Sequence, residues 1–420
     1  MKSCNARTVV HRAFAILLFT CMAGHIRATE IRLEPQAHAR EPRDFNFRYG
    51  DIYLDLTGGI SMRYSDNINY AASEDNEVDS WYVTPRLTLS AYWPVSPYVD
   101  IDSAVSVGYV YYLNDEAEDN WYVSGTEGNV SAGVSSQIRL GDDHIITLRD
   151  ELAREVDSLD IAVRGRPEDY AITRNTFSAV YSRALTPSTT GSLQYAHENV
   201  WVNKDEFDWQ NSVSDSIDGL VLWHAMRNFR IGPYARVEWY RFPEDVRNDR
   251  VSYEAGLTSV GSFTVGTMVT YTANVGYEAI ALDDSNAPDV DDDEGGFVAD
   301  FTAAVNPTIF PGHRVRCSYR RNHETVNPFA NYADELLLGY GIDFYVTRNL
   351  LATADVDYLH IWESDDGENA ELWRFWMRTS YALTPKTSVG AGYRYTFKDS
   401  DDADREYNQG TFEVTITTTF

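Results

Sequence analysis

The side chains with the most obvious chemistry are acidic. Asp289, Asp291 and Asp293 alternate through Asp289-Val290-Asp291-Asp292-Asp293-Glu294-Gly295, and Asp300 follows eleven residues after Asp289. That spacing approaches a calcium loop, in which alternate carboxylates and a closing acid surround a hard cation. The glycine falls one place late and Asp300 stands where Glu is usual. The competing reading is a solvated acidic loop that binds Ca2+ weakly and bridges through such ions to lipopolysaccharide phosphates.

A second group alternates sign from segment to segment. Arg316 and Arg320 are followed by Glu335 and Asp343, then Asp355 and Asp357, then Arg374 and Arg378, then Arg394. On neighbouring strands about 4.8 Å apart, opposite charges can pair across a sheet. Such a set either stiffens a wall as an ion-pair network or sets selectivity for ions or sugars through its unpaired remainder. Arg378 and Asp355 lie at similar distances from neighbouring turns, which makes them an expected pair. Enzyme signatures are missing from the sequence: there is no Gly-x-Ser-x-Gly, His-Glu-x-x-His, Cys-x-x-Cys or phosphate loop. His197, Glu198, His323 and Glu324 are the nearest hydrolytic material, and lone histidines near strand ends are more often interface residues. We expect neither an enzyme nor a bound cofactor. Gly339-Tyr340-Gly341 and Gly390-Ala391-Gly392 lie mid-strand, where their glycines would leave room on an inner face.

The elements that position these residues are strands. From Asp51 onward apolar and polar residues alternate at period two, with little helical periodicity. Phe412, Val414, Ile416 and Phe420 share one face of the last stretch, and Val389, Ala391, Tyr393, Tyr395 and Phe397 one face of the preceding one. Tight joints recur at Val95-Ser96-Pro97, Gly141-Asp142-Asp143, Thr186-Pro187-Ser188, Arg227-Asn228, Pro311-Gly312, Thr347-Arg348-Asn349 and Thr384-Pro385-Lys386, with a weaker one at Ser262 to Thr264. Between them lie longer polar joints, such as Asn114 to Asn120, Leu282 to Gly296 and Lys398 to Asn408. Short turns on one side and long loops on the other predict an all-β fold, a single transmembrane antiparallel up-and-down β-barrel of about 18 strands, with 16 as the alternative.

Composition agrees. The formal charge of -29 over 420 residues is matched by the net charge of the long joints alone, which places the acidity on the extracellular rim. No basic stripe offers a nucleic-acid surface. No apolar run reaches the roughly 18 residues of a spanning helix. Aromatics gather at strand ends, among them Trp81, Trp239, Trp362 and Trp373 near long loops, and Trp93, Phe229 and Tyr381 near tight turns, as in interfacial girdles. Lys2, Arg7 and Arg12, the apolar stretch Ala13 to Gly24 and small Ala28 read as a secretory signal peptide. The expected organisation is signal peptide 1–28, a short periplasmic segment 29–49 and an outer-membrane barrel 50–420. With Cys4 and Cys21 in the signal, the mature chain would keep only Cys317 and no internal disulfide.

A C-terminal strand ending in Phe420, with alternate aliphatics before it, resembles bacterial outer-membrane β-barrel proteins. The resemblance implies a Gram-negative-type outer membrane, lipid and lipopolysaccharide around the barrel, and an assembly machinery that reads Phe412, Val414, Ile416 and Phe420. More narrowly, Tyr64-Ser65-Asp66-Asn67-Ile68, with Trp81 to Ala91 and its Thr84-Pro85-Arg86-Leu87 core, resembles the opening of the putative β-barrel porin-2 family. Eighteen strands are wide enough for an aqueous path, so the expected function is a porin-like channel for passive diffusion of ions and small hydrophilic solutes. A structural or adhesive surface barrel is an alternative of another class. The family resemblance implies a further alternative, an exit duct for exopolysaccharide served by periplasmic polysaccharide-export proteins, and carries over no catalytic residues.

Overall fold

In a computed structural model of the chain, the described residues are 45–420, excepting 69–70, 72–76, 114–119, 123–131, 142, 156–171, 203–207, 209, 244–248, 266, 283–293, 306–311, 323–331 and 364–366. The signal peptide expected at 1–28 and most of the segment 29–49 lie outside them, as do Asp289, Asp291, Asp293, His323 and Glu324.

Leaving aside two three-residue strands, Phe47–Tyr49 and Asn120–Tyr122, eighteen strands follow one another. They are β1 (Ile52–Ser65), β2 (Ser80–Ser96), β3 (Val99–Tyr112), β4 (Ala132–Arg139), β5 (His144–Glu155) and β6 (Ile172–Thr186). Next come β7 (Thr189–Val202), β8 (Ser212–Met226), β9 (Phe229–Arg241), β10 (Arg250–Val265), β11 (Thr267–Leu282) and β12 (Glu294–Val305). The last are β13 (Gly312–Asn322), β14 (Ala333–Thr347), β15 (Leu350–Glu363), β16 (Asn369–Thr384), β17 (Thr387–Ser400) and β18 (Tyr407–Thr419). Each pairs antiparallel with its sequence neighbours. β1 pairs with β18 from Thr57↔Thr419 to Ser65↔Thr411, which closes the sheet into a barrel. Closure matters because an open edge would leave backbone donors and acceptors unpaired in hydrocarbon.

The barrel is apolar outside and polar inside. Outward side chains such as Leu87, Ile217, Leu257, Phe375 and Ile416 are exposed, whereas inward Thr88, Ser106, Ser216, Ser252 and Thr396 are buried. In water this would be inverted; with lipid outside it is the stable arrangement. Girdle aromatics touch across strands, Tyr64 on Trp81 at 5.2 Å and Tyr358 on Trp373 at 4.7 Å between ring centroids.

Several expected boundaries move. The turn placed at Ser262 to Thr264 is ladder: Ser262↔Thr270, Phe263↔Val269 and Thr264↔Met268 continue the pairing, and the reversal follows Val265↔Thr267. The segment after Asn114 to Asn120 is not yet a barrel strand, because Asn120–Tyr122 folds back on β3 (Gly108↔Tyr122) and β4 starts only at Ala132. Lys398, assigned to a long loop, lies within β17, where Lys398↔Tyr407 extends the pairing. At the other end, within the segment expected at 29–49, Phe47–Tyr49 pairs with Ile52 to Leu54 on the edge of β1 that β18 leaves unoccupied.

Candidate functional site: the lumenal wall

Register converts the alternating charges into rows. Arg316 on β13, Gly339 on β14, Asp357 on β15 and Arg374 on β16 lie side by side. So do Arg314, Gly341, Asp355, Trp376 and Arg394. Arg316 reaches across the whole of β14 to Asp357 at 2.5 Å, and Arg374 meets the same carboxylate from the other side at 3.2 Å. Arg314 bridges Asp355 at 2.8 Å and Asp343, which also accepts from Thr353 Oγ1 at 2.8 Å. Arg320 holds Glu335 at 2.7 Å.

These reaches depend on the two β14 glycines. A Cβ at Gly339 would stand 2.5 Å from Asp357 Oδ1 and 2.8 Å from Arg316 Nε, and one at Gly341 would likewise displace Asp355 and Arg314. The inward room expected at these glycines is therefore filled by guanidinium groups spanning two strands. Gly341→Val is expected to part Arg314 from Asp355 and shift the reversal potential across a salt gradient, while folded barrel, judged by heat-modifiable migration, persists.

The expected partners Arg378 and Asp355 are not opposite each other. The register sets Arg378 against Thr353 and Asp355 against Trp376, and the Arg378 guanidinium lies 4.8 Å from the Trp376 ring centroid. Asp355 takes its charge partner from Arg314 instead, a residue of the same inward parity as Arg316 and Arg320 that the sequence reading passed over.

An acidic arc was also missed. Glu198, Asp218, Glu238, Glu254, Glu278 and Asp300 project inward from β7 to β12, against Arg174, Arg236 and Arg250. Arg174 holds Glu198 at 2.8 Å, and Arg236 holds Asp218. Glu254 is bound by the Tyr234 hydroxyl at 2.5 Å, Glu278 by Ser252, and Asp300 by Asn274 Nδ2 at 2.8 Å. The six acids are spread over six strands, one from each, so no cluster shows in the sequence; only the shared parity could have revealed the arc. Asp300 thus belongs to the wall of β12, turned toward β11. Among the described residues no three His, Cys, Asp or Glu side chains gather as a metal set.

His197 and Glu198 point to opposite faces of β7, the former outward to Asp215 at 2.9 Å and the latter inward to Arg174, so they form no joint site. Phe412, Val414, Ile416 and Phe420 are all outward and exposed. The motif Asp66-Asn67-Ile68 locks the seam: Asn67 is fully buried and donates to Ala71 O at 2.9 Å and Asn408 O at 3.0 Å, and Gly410 N donates to Asp66 Oδ1 at 2.7 Å.

A closed, even-numbered antiparallel barrel, lipid-compatible outside and charged within, defines an outer-membrane barrel of the porin class. Residues 235–420 match the family model described as Putative beta-barrel porin 2, so the resemblance first drawn from Tyr64 to Ala91 is carried by the C-terminal part of the barrel. No curated protein matches the sequence. Among solved structures, Pseudomonas aeruginosa OccK2 (OpdF), crystallised with glucuronate, is 11% identical over 88% of this chain and 98% of its own, with a TM-score of 0.50. A BenF-like porin from Pseudomonas fluorescens Pf-5 is 10% identical over 88% and 99%, with a TM-score of 0.50. Likeness at that identity shows the shared fold.

Proposed function

We propose that the barrel is a channel for passive diffusion of ions and small hydrophilic solutes across the outer membrane. The observation that carries this reading is the lumenal wall, where charged side chains are arranged in rows, with arginine–carboxylate pairs on β13 to β16 continuing an acidic arc on β7 to β12. A wall that only had to be filled could be apolar, as buried ion pairs contribute little net stability. Eighteen strands also enclose more than side chains alone fill, unlike barrels of about eight. The lipid-facing pattern of β18 supports recognition by the outer-membrane assembly machinery, and the acidic loops support weak Ca2+ bridging to lipopolysaccharide.

Conductance and reversal potential of the purified barrel in a planar bilayer test this. Arg314→Ala leaves Asp343 and Asp355 uncompensated and should shift permeability toward cations; Asp355→Ala should shift it toward anions. Both shifts should shrink as the screening length falls from about 10 Å at 0.1 M to about 3 Å at 1 M salt. Parental selectivity in both variants would remove these charges from the conduction path.

A further inference from the structure

At the extracellular end the inward face changes character. Ile172, Val200 and Val202 of β6 and β7 belong to one buried apolar cluster with Ala333, Leu359, Ile361, Leu372 and Tyr407 of β14, β15, β16 and β18, and Leu337 packs against it. The two groups of strands are at least six strands apart either way round the ring. A cluster with members on both walls spans the lumen.

All these side chains have inward parity. Leu359 and Ile361 continue the row of Asp355 and Asp357, Leu372 continues that of Arg374, and Val200 and Val202 that of Glu198. Side chains lining an open aqueous pore would be wetted, yet Leu372 is 1%, Tyr407 2% and Ile361 3% exposed. Beside them Ile68 packs on inward Tyr82, Val110 and Tyr112 as a second apolar group at the same end. The ionic row Arg316, Asp357 and Arg374 lies one inward step below Leu359 and Leu372, and at the level of the cluster itself Arg174, Glu335 and Lys398 stand opposite Val200, Ile361 and Leu372, each held by a carboxylate or guanidinium partner.

We propose that the cross-lumen apolar cluster is a dewetting constriction and the specificity-determining element of the channel. It holds back hydrated ions and admits solutes that can shed water along an apolar face. Water in a narrow apolar throat loses hydrogen-bond partners, and an ion must lose part of its hydration to cross it, so such a throat slows the passage of ions without closing the channel to them. This rests on the diffusion-channel reading and sharpens it, since a polar wall alone would pass small ions freely.

The test is ion conductance of wild-type barrel and of Val200→Thr/Val202→Thr, which keeps side-chain shape and adds hydroxyl groups, in planar bilayers. Ile361→Thr serves as a second, independent variant, and Val200→Ile as an apolar control. Heat-modifiable migration reports folding. The expected result is a low wild-type conductance, raised about fivefold or more by either threonine variant and unchanged by isoleucine. Equal, open-pore conductance in wild type and threonine variants overturns the constriction and leaves the channel intact. Silence in all folded variants overturns both readings.

Discussion

Replacing Lys398 with Met is expected to destabilise the barrel by about 3–5 kcal/mol, the scale for leaving one member of a buried ion pair alone. Lys398 Nζ lies 2.7 Å from Glu368 Oε1, and both side chains are wholly inaccessible. The same carboxylate accepts from Ser400 Oγ at 2.6 Å and has Arg405 Nη1 3.6 Å from its other oxygen. Glu368 stands just before β16, so this cluster ties that approach to the end of β17 beneath the extracellular rim. Arg405 offsets only part of the loss because it is farther away and partly exposed. The double variant Lys398→Met/Glu368→Leu removes both charges and should recover most of the stability. Urea-unfolding midpoints in detergent or vesicles decide it; equal losses in the single and double variants would show that the two charges are not coupled.

The same cluster shows where sequence reading stops. Lys398 sits among Asp399, Asp401, Asp402 and Asp404, and nothing in that acidic stretch distinguishes a loop lysine from one buried at a strand end. Burial depends on which neighbouring strand supplies Glu368. By contrast, alternation was legible almost throughout, because lipid outside and polar wall inside force opposite chemistry onto successive residues. The eighteen strands follow from that period together with turn residues such as Thr186-Pro187-Ser188.

Period two reports face but neither depth nor register. Leu359 and Ile361 have the parity of Asp355 and Asp357, yet they seal the lumen while the acids line it; only their nearness to the long connection separated them. Register failed for a related reason. Arg378 and Asp355 are about equally far from their tight turns, but tilted strands in a closed barrel are staggered, so equal distances do not imply opposition. The stagger brings Thr353 to Arg378 and leaves Asp355 to Arg314, two strands away across Gly341. A glycine that lets a guanidinium pass over it gives no sequence signal of the pair it permits.

The face assignment itself is open to a direct energetic test on β16 and β17. Tyr393 lies outward, opposite Met377 on one neighbour and Phe412 on the other, all three exposed. Arg at Tyr393 would place a guanidinium against hydrocarbon and should cost about 2–4 kcal/mol near the midplane. The inward comparison must avoid crowding. Gly392 is unsuitable, since a Cβ there meets Arg378 Cβ and the Met377 carbonyl oxygen at 3.3 Å. Ser380 is better placed: it faces inward opposite Gly390, so an arginine there can extend along the lumen, and its cost should stay within about 1 kcal/mol. Reversible urea unfolding of Tyr393→Arg and Ser380→Arg in lipid vesicles measures the difference. If the two substitutions cost the same, β17 does not present Tyr393 to lipid and the inside and outside of the wall have been exchanged; a gap near 2 kcal/mol or more fixes both faces and, through the rows that join them, the lumenal position of every charge on β13 to β17.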